Sequence, residues 1–246
     1  MNTVELFERR RKMRRVIITI AVLFCSPAWA LTYMGSPASD VKQGELLLGF
    51  DYSNSEIDFE FRNRGVRGIL DNVDSDLYLG RAGIGVFDGL EIFGRYGVGE
   101  IEELGNETAW GLGTRATFAE SGDVSWGALF QLTSLHAEGT GNLGRYTLNG
   151  DFDVYEYQFA IGPTFDDTVY FGPFFHFIDG DADLASYGSV DIEQESEFGF
   201  YLGVMWELGD NTGLNIEFQG TDDAKMGSIG IVHKFGGPSK KNKKSE

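Results

Sequence analysis

Between Arg81 and Gly99 the chain alternates with a period of two. Ala82, Ile84 and Val86 alternate with Arg81, Gly83 and Gly85. After Asp88-Gly89, Leu90, Ile92, Gly94, Tyr96 and Val98 alternate with Glu91, Phe93, Arg95 and Gly97. Asp-Gly between two such runs is a hairpin signal, because the glycine accepts φ > 0. One face of this hairpin is apolar and aromatic; the other carries arginine, glutamate and glycine.

The pattern recurs down the chain. A first strand over 45–61 places Leu46, Leu48, Phe50 and Tyr52 on one face, then resumes one residue out of step with Ile57, Phe59 and Phe61. That shift predicts a bulge or a stretch lying beyond the membrane. After the hairpin, a strand over about 108–118 presents Trp110, Leu112, Ala116 and Phe118, and one over about 124–137 presents Trp126, Ala128, Phe130 and Leu132. Then come Tyr155, Tyr157, Phe159 and Ile161; Val169, Phe171, Phe175 and Phe177; Phe198, Phe200, Leu202, Val204 and Trp206; Leu214, Ile216 and Phe218; and Ile229, Ile231 and Phe235. Ten strands are expected. Pro163 and Pro173 fall inside two of them, equidistant from Thr168, and predict paired bulges or fraying because proline donates no ladder hydrogen bond.

Connection lengths alternate. Those near 88, 121, 167 and 211 are tight. Those at 62–73, 102–107, 139–152 and 179–195 are longer, and only the last, near 223, is also short. Ten strands put both termini on the short-turn rim. The aromatics sort to two levels. Phe118, Trp126, Phe165, Phe171 and Trp206 lie by short turns, and Tyr52, Tyr78, Tyr96, Trp110, Tyr155, Phe177 and Phe198 lie by long connections. About eight residues of tilted strand separate the two levels, roughly 20 Å, the height of an apolar membrane band. A soluble core explains aromatic residues but not their sorting to both ends.

The N-terminus adds export. Residues 9–15 are basic (RRRKMRR), 16–24 are apolar (VIITIAVLF), and Ala28-Trp29-Ala30 is an A-x-A site. This predicts a secretory signal over 1–30 with cleavage after Ala30, starting at Met1 or Met13. Phe24 before Cys25 argues against lipidation. Cys25 is the only cysteine, so the exported chain is expected to form no disulfide or thiolate site. Residues 31–42 lack periodicity and are expected to form a loose periplasmic segment. The barrel is assigned to 43–235, and 236–246 is expected to be a basic, disordered tail.

Charge excludes one class of partner. The net charge is −18, and the leader holds six basic and two acidic residues. Residues 31–246 therefore carry 14 basic and 36 acidic groups, a net of −22. Such a body is not expected to bind nucleic acid.

Taken together, the sequence resembles the small outer-membrane β-barrels of Gram-negative bacteria, porin-like and outer-membrane-protein-A-type. Ser228-x-Gly230-x-x-His233-x-Phe235 is similar to their C-terminal insertion signal, with Gly230 and Phe235 as its marks. It departs from the pattern at His233 and in the eleven residues after Phe235. The resemblance implies an all-β, single transmembrane antiparallel up-and-down barrel of about ten strands in the bacterial cell outer membrane. It implies contact with outer-membrane lipids, lipopolysaccharide and the barrel-assembly machinery. The structural rival is a secreted soluble β-barrel or sandwich.

Strand parity turns Arg81, Glu91, Arg95, Arg115, Glu156, Glu207 and Glu217 inward, with Glu45, Asp51 and Lys234. Such charges pair and fill a narrow lumen, or line a pore and set its selectivity. Catalysis would need a His–carboxylate or His–Ser group. Only His176 with Asp179 and Asp181, and His136 with Ser134 and Glu138, are candidates. Neither carries a triad signature. Asp179-Gly180-Asp181-Ala182-Asp183 opens like a calcium loop, but Leu184 and Val190 break that pattern. No metal or other cofactor is expected. The reading is a non-catalytic porin-like or structural barrel with an acidic extracellular loop. The alternatives are a surface adhesin working through loops 139–152 and 179–195, and an outer-membrane hydrolase.

Overall fold

The computed structural model describes residues 32–63, 66–101, 105–143, 146–184, 188–193, 197–222 and 224–236. The signal over 1–30 and nearly all of the tail lie outside the described residues. Eleven strands form: β1 Leu46–Asn63, β2 Val66–Phe87, β3 Leu90–Ile101, β4 Gly105–Ser121, β5 Val124–Leu143, β6 Tyr146–Phe165, β7 Val169–Leu184, β8 Gly188–Glu193, β9 Phe198–Glu207, β10 Thr212–Gly220 and β11 Ala224–Phe235. All pairings are antiparallel. Ten of the strands close a barrel in chain order, with β7 pairing to β9 and β11 returning to β1 from Leu46↔Phe235 to Ile57↔Ala224.

The eleventh strand corrects the expectation for 179–195. β7 does not end at Asp179 but runs on to Leu184. Its end pairs with β8, which also pairs with β1 at Glu60–Arg62. Where β9, β10 and β11 stop, this one strand bridges β7 and β1. The expected long connections at 62–73 and 139–152 are strands as well. β1 and β2 pair to Asn63↔Val66, and β5 and β6 to Leu143↔Tyr146. Glycine, aspartate and asparagine at these positions weaken the alternation, but backbone pairing to the neighbouring strand of each hairpin still holds the segments extended.

The expected shift in the first strand is a register break between Ile57 and Phe59. The prolines act through one seam. β6 and β7 pair at Ala160↔Phe174 and again at Thr164↔Tyr170 in the same register, with no ladder pairs between. Two donors are missing there. Gly162 and Gly172 let the backbones stay close, since a Cβ on either would sit 2.1 Å from the facing carbonyl, of Phe171 or Ile161. The tight turn after this seam has both Asp166 and Asp167 at positive φ, 50° and 49°.

Polarity is inverted relative to a soluble protein. Leu46, Leu48, Phe50, Ile84, Ile92, Phe130, Phe159, Phe175, Phe200 and Ile231 are exposed on the outer wall. Tyr78, Tyr96 and Trp110 stand at one edge of this belt, and Phe118, Trp126, Phe165 and Phe171 at the other. The buried residues instead include Asp51, Arg81, Glu91, Arg95, Arg115, Gln131, Glu156, Gln158, His176, Glu217 and Gln219. Only a solvent that is apolar at mid-height and wet at both ends favours that arrangement.

Candidate functional site

The inside of the barrel is the candidate site, and its occupant is the segment expected to be loose in the periplasm. Residues 32–41 rise into the lumen from the rim of short turns, with Thr32 1 % and Met34 0 % exposed. The segment enters beside the β2–β3 turn. Gly89 N donates to Val41 O over 2.9 Å, Gly44 N to Gly85 O over 2.8 Å, and Gln43 N to Asp88 Oδ1 over 2.9 Å. Lys234 pairs with Asp40 at the same rim. The periodicity failed here for a physical reason. A segment that is enclosed on all sides has no solvent-facing side to alternate with.

Above the rim the wall meets the segment with side chains. Ser39 N donates to Thr117 Oγ1 over 2.9 Å, and that hydroxyl donates to Ser39 O over 2.8 Å. Ser36 Oγ lies 2.8 Å from Thr164 Oγ1. Arg115 donates to the carbonyls of Ser36 over 2.8 Å and Met34 over 2.9 Å. The Glu217 carboxylate accepts from Met34 N and Gly35 N, each over 2.9 Å, and also from Tyr170 Oη over 2.6 Å and Gln219 Nε2 over 2.7 Å. Tyr33 N donates to Ser53 Oγ over 3.1 Å, and Gln131 Nε2 to Tyr33 O over 3.3 Å. At the inner end Thr32 gives its N–H to Glu156 Oε1 over 3.1 Å and its hydroxyl to Oε2 over 2.6 Å, while Gln219 donates to Thr32 O over 3.0 Å. His176 Nε2 lies 3.1 Å from the same Oε1 of Glu156.

The β1–β4 wall carries a separate cluster. Arg81 pairs with Glu91, and Arg115 Nε lies 3.6 Å from Glu91 Oε2. Arg95 Nε is 3.8 Å from Asp51 Oδ2. The three guanidinium groups surround the Phe93 ring at 4.0, 5.2 and 5.4 Å from its centroid, positions where a cation is attracted to the π-face. Phe93 lies flat over Gly113, where a Cβ would stand 2.3 Å from the ring. Tyr33 of the segment covers Arg95 at 5.5 Å.

Six of the seven expected lining residues are therefore inside: Arg81, Glu91, Arg95, Arg115, Glu156 and Glu217. Glu207 is not. It is exposed at the end of β9, beyond the enclosed lumen, so parity placed it on the inner side but not in the interior. Gln131, Gln158 and Gln219 were missed as lining groups, although their inward parity could have shown them. Gly230 is inward, and its missing side chain makes room for the Tyr33 ring, 3.1 Å from where a Cβ would be. Phe235 is exposed on the belt and pairs across to Leu46.

The candidate catalytic groups come apart. His176 faces the lumen, while Asp179 and Asp181 have odd parity on the same strand and lie exposed. His136 Nδ1 is 2.7 Å from Asp153 Oδ1 near the opposite rim. Asp179–Asp183 is strand, paired on both sides, rather than a loop that could wrap a cation.

No protein-family model matches the chain, and neither does any curated protein. Among solved structures it is similar to the translocator domain of the autotransporter NalP from Neisseria meningitidis, with 10 % identity, TM-score 0.46, and 93 % of this chain and 96 % of that one covered. It is similar to an outer membrane channel from Pseudomonas putida F1, with 12 % identity, TM-score 0.46, and coverage of 83 % and 100 %. A third is Ail, the attachment invasion locus protein of Yersinia pestis, with 14 % identity, TM-score 0.30, and coverage of 78 % and 99 %. These superpositions are too loose to carry residue roles from one chain to another. The chain's own belt decides the class: an apolar, aromatic-edged exterior around a polar, charged interior, closed through ten antiparallel strands, makes this protein an outer-membrane β-barrel.

Proposed function

We propose that the protein is a non-catalytic, porin-like barrel held closed by its own N-terminal segment. One observation carries this reading. The wall turns inward a charged and amide-rich lining that reaches from rim to rim, and a separate stretch of chain fills the space between. A barrel serving only as a wall would fill its lumen with its own strand side chains. Here the lining spends many of its donors and acceptors on a segment that belongs to no strand. With that segment withdrawn, Arg115, Gln131, Glu156, Glu217 and Gln219 would face a passage about as wide as one extended chain. Arg81, Glu91 and Arg95 would set its field.

The test is conductance in a planar bilayer. The chain from residue 31 onward should insert and stay closed. A variant lacking 32–41, shown by protease protection to be inserted, should give discrete steps. Silence from that inserted variant would overturn the channel reading.

A second reading has one observation in its favour. β1–β2, β5–β6 and β7–β8 continue as paired sheet past the aromatic edge at Tyr78, Tyr96 and Trp110. A raised sheet of this kind suits a surface-binding protein better than long mobile loops would. Shortening the β5–β6 hairpin would then abolish surface binding and leave the barrel intact. Gly230 and Phe235 remain proposed as the insertion signal, read by the assembly machinery before Tyr33 packs on Gly230.

A further inference from the structure

We propose that the lumen wall is a binding site for a non-helical polypeptide backbone, and that residues 32–41 occupy it exchangeably. A second peptide of the same shape, entering at the rim of short turns, takes their place. The proposal rests on the reading of this segment as a movable plug.

Three observations support it. First, the wall recognises main chain. The N–H groups of Thr32, Tyr33, Met34, Gly35 and Ser39 all donate to wall side chains, and the carbonyls of Thr32, Tyr33, Met34, Ser36 and Ser39 all accept from them. Such contacts are available to any non-helical peptide. Second, backbone-to-backbone bonds to the wall occur, among the described residues, only at the rim, through Val41, Gly44 and Glu45. Leaving the lumen therefore breaks no strand ladder, and every wall pairing survives. Third, side-chain selection is confined to a short stretch. Met34 belongs to one buried apolar cluster with Phe93, Leu129, Tyr170, Phe174 and Tyr201. Gly35 follows at φ +78°, and a Cβ there would lie 3.0 Å from Tyr33 Oη and 3.2 Å from Arg115. The ligand class is thus a peptide with a hydroxyl-bearing and an aromatic residue, then an apolar residue, then a glycine at which the chain turns, then small residues.

Glu217 is the anchor, because it takes two consecutive N–H groups of the occupant. Its loss leaves the ladder untouched while weakening charge-assisted bonds to the segment.

The experiment uses disulfide trapping in the exported full-length protein carrying Cys25→Ser, so that an introduced cysteine is the only one. Ser36 Oγ and Thr164 Oγ1 are 2.8 Å apart, a separation that suits a disulfide between cysteines at these positions. The Ser36→Cys/Thr164→Cys protein should close internally on oxidation. The Thr164→Cys protein should instead capture an added synthetic peptide with the sequence of residues 32–42 and cysteine at position 36, gaining its mass. Glu217→Gln should raise the rate of capture roughly tenfold. A peptide with leucine in place of Gly35 should not be captured. If the double-cysteine protein closes but Thr164→Cys captures no peptide, even with Glu217→Gln, the segment is a fixed part of the core and the proposal is overturned. Equal capture of the leucine peptide overturns it too, as does failure of the double-cysteine protein to close. Capture does not depend on conductance, so a silent plug-deleted barrel would strike the channel reading alone.

Discussion

The two walls of the lumen solve the problem of buried polarity in different ways. On β1–β4, three arginines and two carboxylates are drawn together around Phe93, and most of their contacts are with one another. On β5–β10, Gln131, Glu156, Gln158, Glu217 and Gln219 turn toward the N-terminal segment. The charges of the first wall answer mainly one another, with Ser53 and Thr117 reaching the segment from its margins; the amides and carboxylates of the second are completed by its occupant. Arg115 belongs to both, since its Nε faces Glu91 while its terminal nitrogens hold the carbonyls of Met34 and Ser36. With three cations against two carboxylates, the arginine wall has one guanidinium to spare, and that one reaches the segment. The lesson is that a filled lumen need not be a uniform core. One side is built as permanent structure and the other as a socket.

The comparison can be broken most severely at Glu91. Glu91→Ala leaves Arg81 without its partner and strips Arg115 of its nearby carboxylate. Removing one member of a buried pair costs about 3–5 kcal/mol. Denaturant unfolding in detergent should show a loss of that order, with trapping of Ser36→Cys/Thr164→Cys unchanged until the barrel itself melts. Glu217→Gln should do the reverse. It should lower global stability by only about 1–3 kcal/mol, the scale of bonds to a charged group, while loosening the segment measurably. If Glu217→Gln destabilises the barrel as much as Glu91→Ala does, the two walls are not distinct. The smallest effect is expected from Thr117→Val, which loses the bonds to Ser39 near the rim. About 1 kcal/mol is expected, read as a modest rise in protease access to 32–41. A double-mutant comparison sharpens all of this. Glu91→Ala and Glu217→Gln should come close to adding, since only Arg115 and Met34 link their networks. Glu217→Gln and Gln219→Leu should not, since their side chains bond each other over 2.7 Å.

The outer face was legible in the sequence almost residue by residue. Leu46, Leu48 and Phe50, Ile92 and Tyr96, and Phe171, Phe175 and Phe177 all stand where alternation put them, because a two-residue side-chain period is a covalent property of an extended strand. The charged lining followed by subtraction: what is not on the lipid face must point inward. Parity failed where the barrel wall ends. Glu207 has the inward phase but emerges past the last enclosed turn. It failed also at 66–73, 146–150 and 188–193, where glycine and aspartate blur the alternation and only backbone pairing shows an extended chain. The prolines announced a disturbance between β6 and β7. The glycines opposite them decided that it would be a gap in the ladder with the register kept.

The sequence by itself determined the architecture, since period-two alternation, turn residues and the count of strands are local, and closure follows once each strand has one lipid-facing side. It could not determine the contents. Residues 32–41 carry no periodicity, no hydrophobic run and no motif. Their partners are Ser53, Arg115, Thr117, Gln131, Glu156, Thr164, Glu217 and Gln219, which stand on five different strands. Only closing the wall brings those side chains to a common axis, so only the tertiary structure could show that the barrel is filled, and by what.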